Sequence, residues 1–220
     1  MNKLIKTSCA LLLSTIITLG STITANASTN DQNQQKEKLI TTISDQLDIS
    51  KEELEFALDE GNLKNALNSL KDSQKTRGVS GDIRQVKYTE NLILEEEIKV
   101  QDINSLSRAS TTYREVRSTV KLKAVAGYTV ADLTVAGYFR YNGQTSTAYD
   151  GASSAITYVW SKKSTTTKFS SSAVPTAQVR GTFDLEFSVN TQWASHTFYS
   201  ATINGTVFCD KNGSYWSSWY

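Results

Sequence analysis

His196 and Cys209 are the residues of this chain best suited to nucleophilic catalysis, since an imidazole beside a thiol can draw off its proton. On two neighbouring strands they would come within reach of each other. No cysteine-protease motif surrounds either residue, and single cysteines commonly fill cores. Asp184 and Glu186 offer a second chemistry. At i and i+2 of one strand face they stand about 6.5–7 Å apart, a spacing that overlaps the range of glycosidase carboxylates. The same pair also reads as a solvated polar face between Arg180 and Ser188. Serine is abundant, but no G-x-S-x-G occurs. Asp150-Gly151 and Asp210-Lys211-Asn212-Gly213 are turn sequences, not a D-x-D-x-D-G calcium loop, and a glycine-rich phosphate loop is absent. With one His and two Cys in 220 residues, zinc fingers and sites needing several soft ligands are excluded. The expectation is no metal, no cofactor and no catalytic set.

The aromatic residues carry more signal. Of 21, 19 lie in residues 111–220, and the chain closes on Tyr215-Trp216-Ser217-Ser218-Trp219-Tyr220. A frayed terminus is rarely so aromatic. This tail either seals the sheet as its last strand or presents a stacking surface for a glycan, a cell wall or a membrane interface. Trp193 lies on an apolar phase and reads as core. Lys121 and Lys123, with Arg117 and Lys162-Lys163, fall on exposed phases. They can meet an anionic envelope polymer or lipid surface, or simply keep the protein soluble.

These side chains need elements to hold them. Leu39, Ile40, Ile43 and Leu47 fall on one helical face. Ser50-Lys51-Glu52-Glu53 forms a capping box, with Leu54, Ala57 and Leu58 as the buried stripe and Gly61 suited to the C′ position. Leu63, Ala66, Leu67 and Leu70 make a third stripe. A helical unit this small is marginal alone and is expected to pack on something else. Residues 72–81 read as a polar joint. Residues 82–104 fit a strand and a helix equally well, and Ser105–Thr112 reads as a linker.

From there the period becomes two. Val116, Ser118, Val120 and Leu122 alternate with polar residues, as do Leu133, Val135, Phe139 and Tyr141. Val179, Phe183, Leu185, Phe187 and Val189 do the same over 14 residues or more. Ile156, Tyr158 and Trp160 suggest another strand. Such alternation marks antiparallel sheets with one buried face. Asn142-Gly143, Asn204-Gly205 and Asn212-Gly213 are hairpin signals, and Pro175 fits a strand entrance. The predicted fold is mainly β, an antiparallel sandwich or small barrel of about seven strands preceded by a small acidic helical segment. The implied organisation is a leader at 1–27, helices in 28–75, a joint in 76–112 and a β domain over 113–220.

The formal net charge of +1 excludes a simple polybasic nucleic-acid binder, but it conceals a split. Residues 28–110 carry 16 acidic and 11 basic side chains; residues 111–220 carry 6 and 10. Residues 1–27 read as a secretory signal: Lys3 and Lys6, a short apolar stretch from Ala10 to Leu19, then Ala25-Asn26-Ala27 with cleavage after Ala27. Cys9 leaves with it. Cys209 is then the remaining thiol, no internal disulfide forms, and the pattern matches the habit of secreted Gram-positive proteins. Signal, acidic helical segment and basic β domain together resemble the layout of secreted precursors. Lys75-Thr76-Arg77-Gly78, cut after Arg77, and Arg108-Ala109 suit processing. The expected function is an extracellular, non-enzymatic β domain that binds a cell-wall glycan or membrane surface through Tyr215, Trp216, Trp219, Tyr220, Lys121 and Lys123, with antimicrobial or toxin-like action. A Ser/Thr-rich stretch through Ser153-Ser154-Ala155 and Ser161–Ser172 reads as a flexible loop or as the insertion hairpin of a pore former. A carboxylate-dependent hydrolase and a structural coat or matrix component are the alternatives.

Overall fold

The computed structural model describes residues 29–71, 81–103, 111–190 and 195–220. The expected leader, with Ala27, and the processing sites at Arg77 and Arg108 lie outside these residues, as does Trp193.

Three helices come first: α1 (Thr29–Leu47), α2 (Lys51–Leu58) and α3 (Glu60–Lys71). The capping box is present. Ser50 Oγ accepts the Glu53 amide at 3.1 Å, and Glu53 Oε2 accepts the Ser50 amide at 3.3 Å. Gly61 is not the C′ residue expected from its type. Asp59 breaks the helices apart in an extended conformation, and its Oδ1 accepts the Asn62 amide at 2.9 Å, which starts α3. Gly61 lies inside that first turn. Ile40, Ile43, Leu54, Leu58, Leu63, Leu67 and Leu70 close a small core.

Nine strands follow among the described residues: β1 (Asp82–Lys87), β2 (Leu92–Ile103), β3 (Thr112–Ala124), β4 (Thr129–Tyr141), β5 (Ser146–Thr157), β6 (Ser161–Phe169), β7 (Thr176–Asn190), β8 (Ser195–Asp210) and β9 (Tyr215–Trp219), of which β3–β9 are the seven expected of the β domain. The two additional ones, β1 and β2, come from the stretch that fitted helix and strand equally. Sheet A is the antiparallel meander β1-β2-β3-β4-β5, and sheet B the meander β6-β7-β8-β9. Their apolar faces meet. A Cβ on Gly181 of β7 would stand 2.7 Å from Val135 of β4, and one on Gly137 of β4 would stand 2.9 Å from Val207 of β8. Trp219 Nε1 of β9 donates to Ser118 Oγ of β3 at 2.8 Å.

Asn142-Gly143 and Asn212-Gly213 are turns, with positive φ at both glycines. Asn204-Gly205 is not. It lies in mid-strand on β8, its backbone paired with β7 and β9. Gly205 is glycine for another reason: the Trp219 ring covers it, and a Cβ there would stand 2.6 Å from ring carbon Cζ3. Apart from residues 170–172, which lie beyond β6, the Ser/Thr-rich stretch is also no loop. It forms β5 and β6, consecutive strands that belong to different sheets.

The helical unit docks through carboxylates. Glu53 accepts both the backbone amide of Asn91, at 3.0 Å, and its side-chain amide, at 2.9 Å. Glu55 accepts the Tyr199 hydroxyl at 3.1 Å, and Glu60 accepts the Thr202 amide at 3.0 Å. The acidity of this segment is therefore partly spent on donors that the β part presents.

Candidate binding surface

The outer face of sheet B is built by register. Moving across β7, β8 and β9, Gln178, Phe208 and Trp216 form one row; Arg180, Thr206 and Ser218 form the next. Beyond them Thr182 faces Asn204, whose backbone exchanges hydrogen bonds with Tyr220 at 2.8 and 3.0 Å. Inward residues of the same strands (Val179, Phe183, Val207, Cys209, Trp219) are all buried, so the outward phase is fixed by the core rather than by choice.

Two aromatic features stand on this face. The rings of Phe208 and Trp216 stack at 5.1 Å with an interplanar angle of 11°. The Arg180 guanidinium lies 5.8 Å from the centroid of Tyr220, passing over β8 to reach it. Thr206 sits between these features. It belongs to the outward phase yet is only 1% exposed, and its Oγ1 has no hydrogen-bond partner.

The tail thus divides by alternation. Trp216 and Tyr220 face outward. Trp219 does not: it is 1% exposed, stacked on Phe183 at 5.8 Å, and belongs to the core. Tyr215 also leaves the face. It shares the inward phase, with Arg114 stacked 5.8 Å from its ring and 5.2 Å from that of Tyr141. Arg114 is held in turn by Asp102, Nε to Oδ1 at 2.6 Å.

Lys121 and Lys123 lie on a different surface, the outer face of sheet A, and not as free cations. Lys123 Nζ is hydrogen-bonded to Glu95, which holds the Glu95 carboxyl below its usual range. Lys121 faces Glu95 on one side and Asp132 on the other. Arg117 pairs with Glu115 and Lys99 with Glu97. That face is charge-balanced, so it offers an anionic surface little net attraction.

The catalytic candidates come apart. His196 and Cys209 are on the same strand, β8, not on neighbours. Thirteen residues of extended chain separate them by roughly 40 Å. Cys209 is fully buried, and burial pushes its thiol up to about 11. Asp184 and Glu186 do share a strand face, but each is engaged. Asp184 takes the hydroxyls of Ser164 and Thr202, which hold it below the usual carboxylate range. Glu186 takes Lys163 at 2.7 Å. A general acid needs the opposite shift.

A buried polar knot escaped the sequence. Glu96 is 1% exposed. Its Oε1 accepts the hydroxyls of Ser118, at 2.8 Å, and Ser217, while its Oε2 faces Arg84 Nη1 at 3.9 Å. Through Ser217, Glu96 ties edge strand β9 to sheet A. Among the described residues no group of three or more His, Cys, Asp or Glu is placed to hold a metal, and no helix is long and apolar enough to cross a membrane.

Fold and face define a mainly β protein of two antiparallel sheets with a docked helical unit and an aromatic, polar outer surface. No family model, curated protein or solved structure matches the chain.

Proposed function

We propose that the chain is a secreted, non-catalytic β-sandwich protein that binds a cell-envelope surface through the outer face of sheet B. The observation that carries this reading is the exposed-phase aromatic set, the Phe208–Trp216 stack beside Tyr220, held on a rigid three-strand lattice. Aromatic planes flanked by Gln, Ser, Thr and Asn side chains suit sugar rings, whose C–H faces stack while their hydroxyls take polar partners. The engaged state of Asp184 and Glu186 favours binding over hydrolysis.

The leader read at 1–27 supports an extracellular address, and the acidic helical segment supports a precursor whose helices stay clamped on the β part until processing. Antimicrobial or toxin-like action on another cell is the biological setting this layout suits. The grip and the binding face are separate. Phe208 lies six residues beyond Thr202 on β8, roughly 20 Å along the strand.

The test is a pull-down of the full chain with insoluble envelope material from Gram-positive cells, together with the Trp216→Ala and Asp184→Ala variants. Trp216→Ala should lose most of the bound fraction; Asp184→Ala should keep it. Loss of a polymer-cleaving activity in folded Asp184→Ala protein would overturn this reading in favour of a hydrolase.

A further inference from the structure

We infer that the outer face of sheet B takes an anionic glycan, its acidic group held between Lys168 and Arg180 and a sugar ring stacked against Trp216. The inference rests on the surface-binding reading above and names the ligand class.

Lys168 and Arg180 are direct register partners on β6 and β7. Like charges placed opposite each other destabilise an antiparallel pair, and neither residue has a carboxylate within ion-pair distance among the described residues. This contrasts with sheet A, where Lys123, Arg117 and Lys99 each have one. Two adjacent cations without a counter-ion form the complement of an acidic group. Arg180 instead rests on the Tyr220 ring, a contact weak enough at an exposed site to be exchanged for a charge-assisted bond.

Next to Arg180 in the register, Thr206 hides a hydroxyl with no partner. Buried polar groups are nearly always satisfied, and a ligand oxygen reaching in as Arg180 swings off Tyr220 would satisfy this one. One row away, Trp216 supplies an aromatic ring and exposed Gln178 an amide that can both donate and accept. The lattice between them is Ser, Thr and Asn. That composition favours a hydrated polymer over lipid, which would call for protruding apolar side chains.

The experiment is affinity electrophoresis of the full-length protein in gels containing a phosphodiester-linked sugar polymer, a uronic-acid polymer or a neutral glucan. Co-sedimentation with vesicles rich in anionic lipid runs in parallel. The expected result is retardation by at least one anionic polymer, which identifies phosphate or carboxylate as the acidic group. That binding should weaken at least tenfold in Lys168→Gln and Arg180→Gln and fall with rising salt. Both residues are exposed, and matching circular dichroism spectra establish that the variants fold. Equal retardation by neutral glucan, unmoved by either variant, overturns the anion site and leaves surface binding standing. Sedimentation with vesicles but no retardation by any glycan overturns the glycan. Absence of binding to every polymer, to vesicles and to insoluble envelope material overturns both.

Discussion

Gly205 separates the local reading of Asn204-Gly205 from the tertiary one. In a hairpin turn an alanine there would suffer only from positive φ. In the structure the φ is ordinary and the obstacle is Trp219: a Cβ would stand 2.6, 2.7 and 2.8 Å from three of its ring carbons. The ring has nowhere to go, because it stacks on Phe183 and its Nε1 is bonded to Ser118. Overpacking of this kind costs about 1–3 kcal/mol, and losing the indole hydrogen bond adds about 1 more. Gly205→Ala should therefore destabilise the protein by roughly 2–4 kcal/mol. Urea unfolding followed by tryptophan fluorescence measures it. Gly143→Ala is the control: its φ is +84° and nothing lies within 4 Å of the new Cβ, so its cost is the left-handed penalty of about 1–2 kcal/mol. The decisive measurement is a cycle with Trp219→Leu, which removes the blocking ring. The cost of Gly205→Ala should then fall by at least about 1 kcal/mol. A Gly205→Ala cost below about 0.5 kcal/mol, or additivity in the cycle, would refute the packing of the Trp219 ring on Gly205.

Acid should loosen the helical unit. Burial pushes Glu53 up, but its bonds from Asn91 and Ser50 more than offset that; Lys36 lowers Glu55, and Lys64 with the Thr202 amide lowers Glu60. Groups depressed in the folded state stabilise it above their unfolded values, near 4.3, and lose that contribution as pH falls through the folded ones. Limited proteolysis within the helices α1–α3 should stay slow at pH 6–7 and accelerate below about pH 4; a rate independent of pH counts against the clamp. Cys209, buried with its thiol raised to about 11, should resist a thiol reagent at pH 8 in the native protein and react at once in denaturant. Rapid labelling of native protein would place the thiol at the surface.

The parts of the fold that were legible in the sequence are those whose cause is local. The Ser50–Glu53 capping box needs only four residues. The alternation along β3, β4 and β7 announces a half-buried antiparallel sheet because the pleat itself has period two. The stretch that became β1 and β2 resisted for a physical reason. On β2 the inward phase runs Leu92, Leu94, Glu96, Ile98, and a carboxylate on the apolar face erases the alternation. Glu96 is tolerated there because Ser118 and Ser217, from two other strands, supply its donors. No window of sequence around Glu96 contains them. Asn204-Gly205 misleads in the same way, since the residue that demands a glycine lies fourteen positions away.

The candidate surface was half legible for a related reason. An aromatic tail was visible, but whether its rings belong to the core or the surface depends on strand phase, and the phase is set by Trp219. That residue lies in the space between the sheets, bonded to Ser118 and stacked on Phe183, while Ser217 on the same face is bonded to Glu96. Once the inward side chains of β9 are anchored, Trp216 and Ser218 must face out. The remaining members, Lys168, Arg180 and Thr206, are separated from them in sequence and reach the same patch only through the β6-β7-β8-β9 register. The buried half of the tail thus positions the displayed half, and the Glu96 knot that ties β9 to sheet A helps to hold the candidate binding face in place.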